Sequence, residues 1–213
     1  MRTLVMALVV VGLLAAPSLG MIYFKLTVDG PVVGQVNIGD SYGDLVRVAT
    51  GATTTIHLWG MGTTLGLFAF AGSVVAGASD PMLLTTNASS MVFSPLYNPS
   101  APFPPKPGTA GSNGGRDNFG SQQTDWGNPR ADLGRTAYIE LCSYTVTATS
   151  SDFGIVNLRF VPGTVSGYKP IETDKSSVLC PTIALVGIQV IPEPMTLTLL
   201  ALASLVVVRR RRA

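Results

Sequence analysis

The stretch Phe153-Gly-Ile-Val-Asn-Leu-Arg-Phe-Val161 decides the fold class of this chain. Val156, Leu158 and Phe160 share one face of an extended chain, and Asn157 and Arg159 share the other. A period of two between apolar and polar positions is the mark of a strand covered on one side. Pro162-Gly163 then ends it with a turn.

Working outward, the same reading applies on both sides. Thr136 to Thr147 (TAYIELCSYTVT) predicts a strand long enough to cross a whole domain, and Thr182 to Val190 predicts the last one, with Val165 to Ile171 ambiguous between them. Nearer the N-terminus, Ile22 to Val28 and Val32 to Ile38 read as strands around Asp29-Gly30-Pro31, and Gly39 to Gly43 reads as a turn. Leu45 to Ala49 and Thr53 to Trp59, separated by Thr50-Gly51-Ala52, read as a hairpin. Gly60-Met61-Gly62 should turn the chain into Leu65 to Ala71, where Leu65, Leu67, Ala69 and Ala71 share one face and Phe68 and Phe70 the other; Ser90 to Phe93 adds a short strand. With eight to ten strands and no clear helix, the expected fold is all-β, an antiparallel sandwich of Ig-like, jelly-roll or cohesin-like type over residues 21–190.

Residues 95–134 interrupt this pattern. Six prolines by Pro107 are followed by Gly108, Gly111, Gly114, Gly115, Gly120 and Gly127, and no periodicity survives. The segment reads as an exposed insertion or a linker between half-sheets. It is either a mobile excursion or a binding loop carrying Phe103, Phe119 and Trp126.

Both ends are address-like. Residues 1–20 read as a signal peptide, with Arg2, an apolar run from Thr3 to Ala16, and Ser18 and Gly20 before a cut after Gly20. The end, residues 191–213 (IPEPMTLTLLALASLVVVRRRRA), places Pro192-Glu193-Pro194 before a charge-free run from Met195 to Val208 and then Arg209 to Arg212. As a helix, those apolar residues cover about 21 Å, against about 30 Å of hydrocarbon. They form a short single transmembrane span whose arginines hold the C-terminus in the cytoplasm. The order of motif, span and arginines resembles the PEP-CTERM sorting signal of bacterial envelope proteins. That resemblance implies an exosortase as processing partner, with Pro192, Glu193 and Pro194 as its recognition site and Arg209, Arg210, Arg211 and Arg212 for membrane retention. It also implies a protein exported to the envelope membrane, then processed to the cell surface or extracellular matrix, where exopolysaccharide is a candidate partner. A simple tail anchor is the alternative reading of the residue types.

The Thr-rich strand, the Gly-Leu-Phe-Ala-Phe strand and Phe-Gly-Ile-Val-Asn-Leu-Arg-Phe together resemble cohesin-like domains, the sandwiches of bacterial surfaces and carbohydrate-degrading assemblies. The Pro/Gly-rich segment departs from a compact cohesin.

The net charge of +2 misdescribes the body of the chain. Arg2 and Arg209 to Arg212 lie in the two ends, which leaves 9 basic and 11 acidic residues between Met21 and Ile191, or −2. Nothing there is the concentrated basic face that nucleic acid requires. Cys142 and Cys180 suit either one disulfide in an exported protein or two buried thiols. His57, the one histidine, alternates with Ile56 and Leu58 in a strand, so no Ser-His or Cys-His pair is expected. Asp117, Asp125, Asp132 and Glu140 are the carboxylates a glycan hydrolase would need, without a pattern that pairs them. No cofactor motif is present, and the only metal arrangement to consider is a loop calcium site from Asp29, Asp40 and Asp44. The sequence thus points to a non-catalytic domain, with a carbohydrate-binding or adhesive module as the alternative. Trp126 and Trp59, with Tyr138 and Tyr144, are the candidate glycan contacts, although the same residues also fill sandwich cores.

Overall fold

Alternating apolar residues give most of the chain its strands, and the computed structural model assigns thirteen. It describes residues 21–63, 66–100, 102–125, 129–149, 152–166, 168–172, 180 and 183–192. The strands are β1 (Ile22–Val28), β2 (Val32–Ile38), β3 (Ser41–Ala49), β4 (Thr53–Gly62), β5 (Leu67–Ala76), β6 (Leu84–Thr86) and β7 (Val92–Phe93). There follow β8 (Thr109–Ala110), β9 (Arg116–Gln122), β10 (Ile139–Ala148), β11 (Gly154–Pro162), β12 (Ile171–Glu172) and β13 (Ala184–Ile191). One turn of 3-10 helix, Pro95–Tyr97, follows β7.

Two sheets pack face to face. The smaller has the order β1-β4-β10-β6, with β7 also on β10; the larger runs β2-β3-β13-β11-β5-β9-β8, with β12 beside β5. Inward residues of both sheets meet in one core, including Ile22, Phe24 and Leu26 of β1, Ile56 and Leu58 of β4, and Val156, Leu158 and Phe160 of β11. Phe24 meets Phe160 across the sandwich at 4.7 Å between ring centroids, and Phe119 lies 5.8 Å from the same ring.

Several expectations are corrected. Among the described strands all pairings are antiparallel except β3 with β13, which run parallel from Leu45↔Gly187 to Ala49↔Ile191. β3 and β4 are not a hairpin, because they belong to different sheets. The crossing takes three residues. Thr50 N donates to Ile191 O of the larger sheet, while Gly51 N donates to Ala148 O of the smaller one, and Ala148 N donates to Ala52 O. Gly60 and Gly62 are not a turn but inward positions of β4. A Cβ on Gly60 would lie 2.6 Å from Leu67 and 2.7 Å from Leu141, so the core leaves no room there for a side chain. The turn after β2 is shorter than expected, since Ser41, Tyr42 and Gly43 already pair with β2.

The largest correction concerns residues 95–134. Instead of a structureless excursion, they supply β9, which pairs with β5 from Ala69↔Gln122 to Val74↔Arg116. Phe119 is a core residue, and Tyr97 is fully buried with its hydroxyl on the Leu67 carbonyl. Buried Asn113, Arg116, Ser121 and Gln123 are tolerated here because each is bonded. Ser121 Oγ donates to Tyr97 O, Gln123 Nε2 donates to the carbonyls of Leu67 and Arg130, and Gln123 Oε1 accepts from Arg130 N.

Candidate functional site

The outer face of the smaller sheet is where the chain's polar chemistry is densest. Thr27, His57 and Ser143 lie side by side across β1, β4 and β10, one register step from Lys25, Trp59 and Glu140. A bulge between Glu140 and Cys142 turns Leu141 and Cys142 both inward and leaves Glu140 on the outer face. Glu140 thereby reaches His57, with Nδ1 2.7 Å from Oε1, while Nε2 lies 3.3 Å from Asp29 Oδ1. Both nitrogens are engaged by carboxylates, and neither reaches the neighbouring Ser143. The arrangement ties β4 to β10 and to the bend that follows β1.

Trp59 sits beside this clamp. Its ring is half-buried and its Nε1 donates to Thr27 Oγ1 at 2.8 Å, which fixes the indole against the sheet. Tyr144 is a core residue, its hydroxyl donating to Gly114 O at 3.0 Å and its phenol pushed well above the usual range by burial. Trp126 lies outside the described residues. Of the loop carboxylates, Asp132 bonds Arg130 at 2.8 Å on the surface, which lowers its pKa, and Glu140 belongs to the histidine clamp. The three aspartates considered for calcium are not brought together: Asp29 bonds His57, while Asp40 and Asp44 face the cleft described next.

That cleft, of about 410 Å³, opens between the sheets along the side of the sandwich where β1 is the outermost strand of its sheet. Phe24, Lys25 and Leu26 of β1 form one wall, Ser41 to Asp44 of β3 and Ile183 to Leu185 the other, with Gln35, Asp40 and Tyr138 at the rim. Its base is backbone against backbone. A Cβ on Gly43 would lie 2.0 Å from Leu185 O. Among these residues the sequence offers Tyr138 as a glycan contact and Asp40 and Asp44 as calcium ligands. The others come from four separate segments, and no local pattern unites them.

Cys142 and Cys180 are both free thiols in this structure. Cys142 is buried within β10, where burial and the nearby Glu140 push its pKa well up; Cys180 is half-buried against the core, with its thiol raised to about 11 by burial. At the other end, β13 runs to Ile191, whose carbonyl accepts from both N and Oγ1 of Thr50. Pro192 follows directly. Glu193, Pro194, the apolar run and Arg209 to Arg212 lie outside the described residues, as do residues 1–20. Among the described residues, no helix is long and apolar enough to cross a membrane.

Solved structures carry the decisive comparison. The crystal structure of the CaDoc0917–CaCohA2 complex, CaCohA2 being from Clostridium acetobutylicum, matches with a TM-score of 0.50 at 10% identity, over 80% of this chain and 100% of that one. The fold is cohesin-like. A type III cohesin module from the cell-surface anchoring scaffoldin ScaE of Ruminococcus flavefaciens gives 0.47 at 10% identity, covering 83% of this chain and 90% of that one. The third cohesin of ScaC, from a complex with the ScaB dockerin of Acetivibrio cellulolyticus, gives 0.46 at 11% identity, with 80% and 99% covered. No protein-family model matches the sequence, and no curated protein matches it. At these identities the likeness is one of fold.

Proposed function

We propose that this chain is an exported bacterial surface or matrix protein whose cohesin-like sandwich is a non-catalytic binding module. The observation that carries the reading is the fold itself. CaCohA2 has this architecture and stands in a complex with CaDoc0917, which supports a sandwich that works by binding. The engagement of both His57 nitrogens by carboxylates supports the same conclusion, because it leaves the histidine as a crosslink between strands.

The delivery of the module rests on its two ends. Residues 1–20 export the chain, and residues 191–213 hold it in the envelope membrane until an exosortase recognises Pro192, Glu193 and Pro194. In support, the last strand ends on Ile191 and the motif begins at the next residue. A cut near the motif would therefore release an intact sandwich.

The test is expression of the full chain in an exosortase-containing bacterium, followed by fractionation. Removing residues 191–213 should send the protein into the medium, and Glu193→Ala should leave full-length protein in the membrane. Processing of Glu193→Ala at the wild-type rate would overturn the sorting reading.

A further inference from the structure

On the smaller sheet, His57 bonds Glu140 and Asp29, Trp59 bonds Thr27, and Thr53 bonds Thr147. The side cleft differs from this. Among the described residues, none of the side chains of Lys25, Gln35, Asp40, Ser41 and Asp44 has a hydrogen bond or an ion pair, although all five line the same cavity. They mix donors with acceptors: an ammonium and a hydroxyl, two carboxylates, and an amide that does both. Two tyrosines flank them with rings turned to solvent, Tyr42 at 67% exposure and Tyr138 at 43%. The volume of about 410 Å³ falls within the roughly 300–1,000 Å³ of small-molecule sites.

The chemistry of this set selects its ligand. An exposed tyrosine ring offers an apolar face and a polar tip. It suits a partner that is apolar on one face and rich in hydroxyls around its edge, which describes a sugar ring. Carboxylates and an amide accept from neighbouring hydroxyls, and Lys25 and Ser41 donate to ring and hydroxyl oxygens. Two carboxylates against one ammonium leave the cleft one negative charge, which opposes uronate, sulfate or phosphate groups. We propose that the cleft between β1 and β3 binds a neutral glycan, with Tyr42 and Tyr138 as stacking platforms and Asp40, Asp44 and Gln35 as hydroxyl acceptors. The proposal rests on the binding-module reading and is independent of the sorting signal.

The test is titration calorimetry on the full chain, purified in a detergent without a sugar headgroup. The probes are neutral tetrasaccharides of glucose, galactose, mannose and N-acetylglucosamine, with a galacturonate tetrasaccharide as the anionic comparison. At least one neutral probe should bind with a dissociation constant below about 1 mM. Tyr42→Ala and Tyr138→Ala should each weaken it about tenfold. Tyr42→Phe, which keeps the ring, should retain most of the affinity, and Phe153→Ala, an exposed aromatic outside the cleft, should leave it unchanged. A thermal melt of each variant identifies any loss due to unfolding. No heat from any neutral probe up to about 10 mM would overturn the glycan site, as would preference for galacturonate or wild-type affinity in Tyr42→Ala. Binding of an extended peptide in the cleft without any glycan would overturn it too. None of these results touches the fractionation outcome for Glu193→Ala, so the two readings fail separately.

Discussion

Arg116 Nε donates to the carbonyl of Pro107 at 2.8 Å, inside a sandwich where the arginine is only 1% exposed. Nη1 donates to Asn87 O at 3.2 Å. A proline-rich segment and the strand that follows it are thus joined by a buried cation whose bonds go to backbone carbonyls. Burial lowers the pKa of Arg116 from its ordinary value.

Replacing that guanidinium should loosen the whole segment. Arg116→Ala strands the carbonyls of Pro107 and Asn87 and opens a cavity, with an expected loss of about 2–4 kcal/mol in urea unfolding. Hydrogen exchange should report faster opening of β9 than of β11. A more stable variant would mean that the cost of burying the charge exceeds the value of its bonds.

Gly43 of β3 lies hard against the backbone of β13. Its missing Cβ would sit 2.0 Å from Leu185 O, a backbone atom that can yield only by separating the strands. Gly43→Ala should therefore cost about 2–3 kcal/mol, the range of overpacking changes. Gly39→Ala has open space around it and pays only for a φ of +58°, so it should cost about 1 kcal/mol. Comparing the two denaturation midpoints checks the argument.

Alkaline pH should unfold this protein through its interior. Burial raises the pKa of Tyr97, Tyr144 and Cys142 in the folded state above their ordinary values of 10, 10 and 9. The unfolded chain loses these protons first, so above about pH 9 it binds fewer protons than the native state, and stability falls as pH rises. The stabilisation is complete below that pH. Thermal melts between pH 7 and 11 should show a melting temperature that is level at first and then drops, steepening past pH 10. A melting temperature that does not fall would contradict the burial of these groups.

The two thiols should differ in reactivity. Only the thiolate reacts with an alkylating agent. Cys180, half-buried with a pKa of about 11, should label slowly at pH 8 and about tenfold faster per pH unit up to its pKa. Cys142 should label only on global unfolding. Mass spectrometry after iodoacetamide treatment, with and without urea, distinguishes the two sites. Resistance of both to labelling until a reductant is added would show that the exported protein forms the bridge.

Wherever one side of a strand is core and the other solvent, period two is written into the sequence. Hence β1 has the bounds expected of it, and the inward face of β11 is the one its alternation gave; β2 also keeps its expected bounds, although nearly all of it is exposed. β9 had no such pattern. Its sequence RDNFGSQ buries Arg116, Ser121 and Gln122 beside Phe119, and bonds to distant residues make that possible for Arg116 and Ser121. The candidate site was less legible still. Trp59 was chosen for its residue type, yet Thr27 fixes it against the sheet, while Tyr42 had no local signal beyond lying in a turn-like stretch.

By itself, then, the sequence determined an all-β body of negative charge, because strand alternation and composition are local properties. The tertiary structure decided which sheet each strand joins. Thr50 to Ala52 look like a hairpin turn, but Ile191 and Ala148, far along the chain, bind them and send β3 and β4 apart. That separation puts Tyr42 on one sheet and Lys25 on the other, on opposite walls of a single cleft. Such a site depends on contacts between segments distant in sequence, and only the packed chain brings them together.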